Sequence, residues 1–208
     1  MLTPVPQNDC SLESSKGYHV LSIDPGSRKG LGIAISEING DLMTVKHVCT
    51  INLVHQCKLD NLDPSMTNRL FTLKNVLCRM MKAWDVRAVV IEDCYFSGIP
   101  QAYRALISTI CTVEDVVNSQ LGLGELVKFT ASQIKVAVGA VGNSGNKLEV
   151  RNGLLKIDSR YLQLPVVQIY NILDEHSVDA IAVGYALHRR RLEHEYSKTF
   201  DDPWRRRT

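Results

Sequence analysis

The stretch that most constrains this chain is Tyr18 to Ser36, YHVLSIDPGSRKGLGIAIS. Two short apolar runs, Val20 to Ile23 and Leu31 to Ile35, flank the connector Asp24-Pro25-Gly26-Ser27-Arg28-Lys29-Gly30. Apolar runs of this length around a Gly/Pro/Ser connector predict two paired strands and a turn. Asp24 stands where the first strand ends, so its carboxylate can face a cleft while the strand behind it is buried. An Asp-Pro-Gly by itself only opens a turn. The rest of the chain has to decide between the two.

Strands are expected at about 18–25 and 30–37, and Asn39-Gly40-Asp41 is a hairpin signal leading to a third strand over 42–53. The three form an antiparallel meander. Residues 54–65 read as a loop, after which Thr67 can cap a helix running to about Trp84, with Leu70, Leu73, Leu77 and Met81 on one face. Val86 to Ile91 is apolar but for Arg87 and ends in Glu92, the pattern of a central parallel strand. A loop over 94–99 carries Tyr95 and Phe96. Pro100 opens a helix to about Gln120, whose Ala105, Ile107, Ile110 and Val113 suggest part of a subunit interface. A fifth strand is expected at 126–129 and helices at 131–138 and 147–156, with the small-residue loop GAVGNSGN at 139–146 between the helices. The stretch 158–171 shows no clear period. Residues 175–192 form a strong final helix, with Val178, Ile181, Ala182, Tyr185 and Ala186 at helical spacing.

Three antiparallel strands, then β-α units, then a terminal helix predict an α/β protein with a mixed five-stranded sheet flanked by helices. This is the ribonuclease-H-like order. The chain of 208 residues is long enough for one substantial core, read as a flexible tail over 1–17, a ribonuclease-H-like domain over 18–192 and a basic tail over 193–208. No run reaches the roughly 18 apolar residues of a membrane span, and the polar start lacks the apolar core of a signal peptide. A protein that is not secreted is expected. Its six cysteines are scattered without a Cys-x-x-Cys pair, and read as reduced, mostly buried thiols. The net charge of +2 does not announce a nucleic-acid binder. Its basic runs, Arg189 to Arg191 and Arg205 to Arg207, are partly offset by nearby acids.

Ligands of open sheets gather at the carboxyl ends of strands, so Asp24 and Glu92 are expected side by side. His176 and Asp179, spaced i, i+3 on the first turn of the last helix, share a face that can close on them. Helix capping alone also explains an acid at that position. Several carboxylates in one cleft repel unless something positive lies between them, and two divalent cations meet that need. Oxygen ligands with one imidazole suit magnesium or manganese. Such a site suits in-line phosphodiester hydrolysis.

Four segments in order, IDPGSRKGLGIAI, IEDCYF, the Gln133-Ile134-Lys135 helix with its glycine loop and Lys147, and HSVDAIAVGYAL, resemble the RuvC family of Holliday-junction resolvases. The similarity covers about Tyr18 to Arg190. It implies a homodimer that binds branched DNA, a four-way junction, and nicks two symmetric strands with two divalent ions per site, Mg2+ with Mn2+ able to substitute. It implies a cytoplasmic location, nucleoid-associated or in an infected bacterial cell. The family's metal ligands map onto Asp24, Glu92, His176 and Asp179. The third of these is often Asp in the family, so His176 bears on metal preference. The family's lysines map onto Lys135 and the catalytic Lys147, and its wedge aromatic onto Tyr95 or Phe96. Arg28, Lys29 and Arg104 are phosphate-contact candidates.

Three other classes compete. A broader branched-DNA or RNA-processing nuclease of the same fold would share every motif. An actin-like ATPase also opens with an Asp-Gly turn, but it needs a second domain for which the chain has no room. A junction-binding protein without catalysis is at odds with the complete ligand set.

Overall fold

The computed structural model describes residues 17–26, 30–94, 99–121, 125–140, 148–165 and 167–199. Strands β1 (Tyr18–Asp24), β2 (Leu31–Asn39) and β3 (Leu42–Ile51) form the antiparallel meander. The helices α1 (Leu53–Leu59) and α2 (Met66–Ala83) lead to β4 (Val86–Glu92), which pairs parallel with β1. Then follow α3 (Pro100–Leu121), β5 (Glu125–Phe129), α4 (Ala131–Ala137), α5 (Leu148–Lys156), β6 (Leu162–Gln163), α6 (Val167–Ile172) and α7 (Glu175–Thr199). The sheet order is β5-β4-β1-β2-β3-β6.

The period-2 alternation of β1 divides the core between two faces. Leu21 and Ile23 point to one side, where Leu73, Leu77 and Met81 of α2 and Ile110, Val113 and Val117 of α3 pack with them. Val20 joins the other side, with Ala88 and Val90 of β4 and the apolar residues of α7. From Ala180 to His188 every residue of α7 is buried, the pattern of a helix enclosed on all sides. It lies so close to the sheet that a Cβ on Gly184 would come 2.9 Å from Ser22 Oγ.

The sheet has six strands where five were expected. β6 is two residues long and lies in the unassigned stretch; it pairs parallel with Met43 and Thr44 of β3. Two residues are too few to show a period. The third strand ends at Ile51 and not Leu53, and Leu53 to Leu59, most of it in the expected loop, is the helix α1, capped by the Asn52 side chain accepting from His55 N–H. The cap of α2 is Ser65, not Thr67, its hydroxyl accepting from Asn68 N–H. The last helix runs past Leu192 to Thr199. Ile110 and Val113 of α3, read as interface residues, face the core, while Ile107 is exposed. Of the cysteines, Cys57 is buried, but Cys111 is exposed on α3. No described helix is long and apolar enough to cross a membrane.

His188 on α7 is 1% exposed and its Nε2 donates to the Asp41 carbonyl at 2.8 Å. Burial holds its imidazole below the ordinary range, outweighing the hydrogen bonds to the Asp41 and Tyr161 carbonyls. The unfolded chain therefore binds the proton more readily than the folded one. Stability from this group is complete above the unfolded value of about 6.5 and is lost as pH falls below it. Urea unfolding of wild type and His188→Gln at pH 7.5 and 5.5 checks this. Wild type is expected to lose more stability on acidification than the variant.

Candidate functional site

The parallel register sets Ile23 of β1 opposite Ile91 of β4. Asp24 and Glu92 are the next and last residues of these neighbouring strands. By the alternation that turns Val20 and Val90 toward α7, both carboxylates point to that same face. Asp24 is 8% exposed, and Glu92 is half-buried.

The amino end of α7 is brought over these carboxylates by contacts that span more than 120 residues of sequence. Asp174 caps the helix, its Oδ1 accepting from Ser177 N–H at 2.8 Å. The same oxygen accepts from the Thr50 hydroxyl of β3 at 2.6 Å, and that hydroxyl lies 3.0 Å from Ser177 Oγ. Burial pushes the Asp174 carboxyl up, but the hydrogen bonds from Thr50 and Ser177 outweigh it and hold it below the ordinary range. Beneath this turn, β2 carries Gly32, paired with Asp24 in the register. A Cβ there would sit 2.0 Å from the His176 carbonyl oxygen. Only a glycine lets the helix come down this far.

So seated, His176 donates from Nδ1 to Asp24 Oδ2 at 2.7 Å. That bond is the main reason its imidazole is lifted above the ordinary range, against the opposing effect of burial. Glu92 responds in the complementary way. Burial first, then the negative charges of Asp24 and Asp179, push its carboxyl up to about 7, with Lys135 of α4 pulling the other way. Asp179 also adds to the rise of the buried Tyr170 hydroxyl to about 12, a rise due chiefly to burial and opposed by Arg151. Arg151 is itself fixed by donating to the carbonyls of Tyr170 and Leu173 at the end of α6.

The structure thus brings Asp24, Glu92, His176, Asp179 and Lys135 to one end of the sheet. Arg104 is exposed on α3, outside this group. Arg28, Lys29, Tyr95, Phe96 and Lys147 lie outside the described residues. Roles for Thr50, Ser177, Arg151 and Tyr170, and the capping role of Asp174, were not read from the sequence. Asp174 had a local signal, a capping residue just before a helical pattern. The others depend on contacts that no local pattern records.

Among the described residues, no three His, Cys, Asp or Glu side chains stand close enough together to hold an ion as they are. The donor types nevertheless fit a hard divalent cation: carboxylate oxygens and one imidazole nitrogen, with the negative charges of Asp24 and Asp179 adding to the burial that raises Glu92 to about 7. His176 and Asp24 are joined through a proton. Releasing it frees one ligand atom on each.

A central strand bordered by an antiparallel meander on one side and parallel strands on the other is the ribonuclease-H-like fold. RuvC of Thermus thermophilus, solved in complex with a Holliday junction substrate, shares it at 17% identity over 84% of this chain and 96% of that one, with a TM-score of 0.62. The yeast mitochondrial Holliday junction resolvase Ydc2 shares it at 14% identity over 91% and 87%, with a TM-score of 0.63. The RuvC-like fold expected from the sequence is the fold observed. No protein-family model and no curated protein matches the chain.

Proposed function

We propose that this protein is a divalent-metal-dependent endonuclease that resolves four-way DNA junctions by paired nicking, acting as a cytoplasmic homodimer in recombination, repair or genome processing. The observation that carries the proposal is the convergence of Asp24, Glu92, His176 and Asp179 at the carboxyl end of the central strands, where burial first, and then the charges of Asp24 and Asp179, raise Glu92 to about 7. Of the two similar structures named above, Ydc2 is a Holliday junction resolvase and RuvC was solved with a Holliday junction substrate, which supports the same reading of this fold.

The four side chains would hold magnesium, two ions per site, with manganese able to substitute. Such ions supply an activated water and charge stabilisation for the leaving oxygen. The chain's own contributions follow from the geometry. Asp24 and Glu92 are fixed by strands on adjacent rails of the sheet, and His176 by the capped first turn of α7. Lys135, whose charge already reaches Glu92, can meet charge that grows on a bound phosphate. Lys147 takes the same role, and Tyr95 or Phe96 stacks on a base at the opened junction. Arg28, Lys29 and Arg104 contact backbone phosphates. The subunit contact is placed on the outer side of α3, where Ile107 and the preceding Ile99 are exposed.

A cleavage panel tests the reading: four-way, three-way, flap, duplex and RNA substrates, each with Mg2+. Four-way junctions are expected to be cut at paired symmetric positions and linear duplex hardly at all. Comparable cutting of flaps or RNA would replace this proposal with a broader nuclease of the same fold.

A further inference from the structure

On the far side of the Asp24 turn lies a cleft with Pro25, Gly26 and Gly30 on one wall and Asn52, Met66 and Thr109 on others. Arg69 of α2 lines it. Its guanidinium has five N–H donors, and among the described residues they make one contact, Nη2 to the Met66 thioether at 3.5 Å. Sulfur of this kind is a weak acceptor. Nε is enclosed and has no hydrogen-bond partner. Among the described residues no Asp or Glu lines the cleft and Arg69 has no ion pair.

The position on the helix sharpens the imbalance. Arg69 is in the first turns of α2, where the helix dipole disfavours a cation and favours an anion. The first turn of α2 contains no acidic side chain to offset it. A half-buried cation without a counter-charge at a helix amino end is the electrostatic outline of an anion site.

The cleft is also next to the candidate active site. A Cβ on Gly26 would lie 2.0 Å from the Gly30 carbonyl oxygen and 2.8 Å from His176 Nδ1. One thickness of backbone therefore separates the Arg69 cleft from the His176–Asp24 pair.

The geometry points to a phosphate subsite at Arg69, taking a backbone phosphodiester of the same strand that crosses the His176–Asp24 pair. This rests on the proposed nuclease function for its choice of phosphate over other anions. The planar fork of an arginine matches a phosphate's paired oxygens. Filling the cleft gives the remaining guanidinium N–H groups an acceptor and α2 its anion, and it sets the register of the strand relative to Asp24.

The test follows the arginine Nε–Hε signals of the 15N-labelled full chain by NMR, with Arg69 assigned from its loss in Arg69→Lys. Inorganic phosphate is titrated first, then a four-way junction. The Arg69 signal is expected to shift saturably with both. Junction binding by Arg69→Met is expected to weaken about tenfold, with the slope of log K against log salt reduced by about 1. Arg69→Lys should recover part of the affinity. A methylphosphonate at the contacted position should weaken wild type and leave Arg69→Met unaffected. If the junction is bound and cut while the Arg69 signal stays still, the subsite is overturned and the nuclease reading stands. A shift with inorganic phosphate but none with the junction overturns the backbone-phosphodiester assignment. A shift with phosphate in a protein that neither binds nor cuts junctions leaves an anion site and overturns the nuclease reading. Should Arg69→Met fail to fold, the wild-type titrations carry the decision.

Discussion

Asp24→Asn is expected to abolish cleavage of a four-way junction while leaving the junction bound. The same outcome is expected for Glu92→Gln. Each variant keeps the shape of its side chain and removes one negative charge from the end of the sheet. In Asp24→Asn the amide oxygen can still accept from His176, so the amino end of α7 should stay seated. What is lost is a carboxylate ligand, and the rate should drop by at least about a thousandfold, the scale on which electrostatic groups of an active site act. Binding survives because affinity for a polyanion comes mainly from phosphate contacts spread over the surface. The two variants differ in one respect that can be read by pH. In wild type, Asp24 helps to push Glu92 up to about 7, so Glu92 must lose a proton before it can act as a ligand. The magnesium needed for half-maximal cleavage should therefore rise as pH falls through 7. Without the Asp24 charge, the Glu92 carboxyl should titrate lower, which carboxylate NMR can follow in Asp24→Asn. Cleavage by either variant at near wild-type rate would remove that residue from the active site.

Gly32→Ala is expected to be severely destabilising for a single added methyl. Its Cβ would lie 2.0 Å from the His176 carbonyl oxygen and 2.5 Å from the carbonyl carbon, both backbone atoms. A flexible side chain can swing away from such a clash, but the backbone here is held from three directions. Asp174 ties the turn to Thr50 of β3, His176 is bonded to Asp24, and Gly184 keeps the helix close on Ser22 further along. Relief requires either β2 or α7 to move, and both are core elements. A loss of about 2–4 kcal/mol is expected, in the range of overpacked cores and beyond a typical surface change. Urea unfolding measures it, with Gly40→Ala for comparison, a turn position where nothing lies within 4 Å of the added carbon and the cost is that of the left-handed backbone (φ +56°) alone. Where the variant folds, displacement of His176 should also cut activity far below that of Gly40→Ala. A loss under about 1 kcal/mol with full activity would mean that α7 does not need its close approach to β2.

The central strands were legible because burial on both faces leaves a long apolar run that ends abruptly. Val86 to Ile91 stops at Glu92 in the sequence, and β4 stops there in the structure. The start of the last helix at Glu175 and the shared turn of His176 and Asp179 also followed from helical spacing. β6 did not, because a two-residue edge strand is defined by the partner it meets. Nor did α1, whose seven residues give barely two turns and little periodicity. Ile110 and Val113 were apolar at helical spacing, which identifies a buried face but not what buries it. Here the cover is the sheet of the same chain. The candidate ligands were readable as residue types at element ends. The device that seats them, Thr50, Asp174 and Ser177 over Gly32, joins β3, α7 and β2 and has no signature along the chain.

The most direct measurement is the product formed from a supercoiled plasmid that extrudes a cruciform, in Mg2+, with wild type and Asp24→Asn side by side. Paired nicks across one junction release linear DNA, whereas independent nicks leave an open circle. Wild type is expected to give linear product at the cruciform with little open circle, and Asp24→Asn to give neither. An open circle alone from wild type, or linear product from Asp24→Asn at the wild-type rate, would contradict a paired, Asp24-dependent junction resolvase.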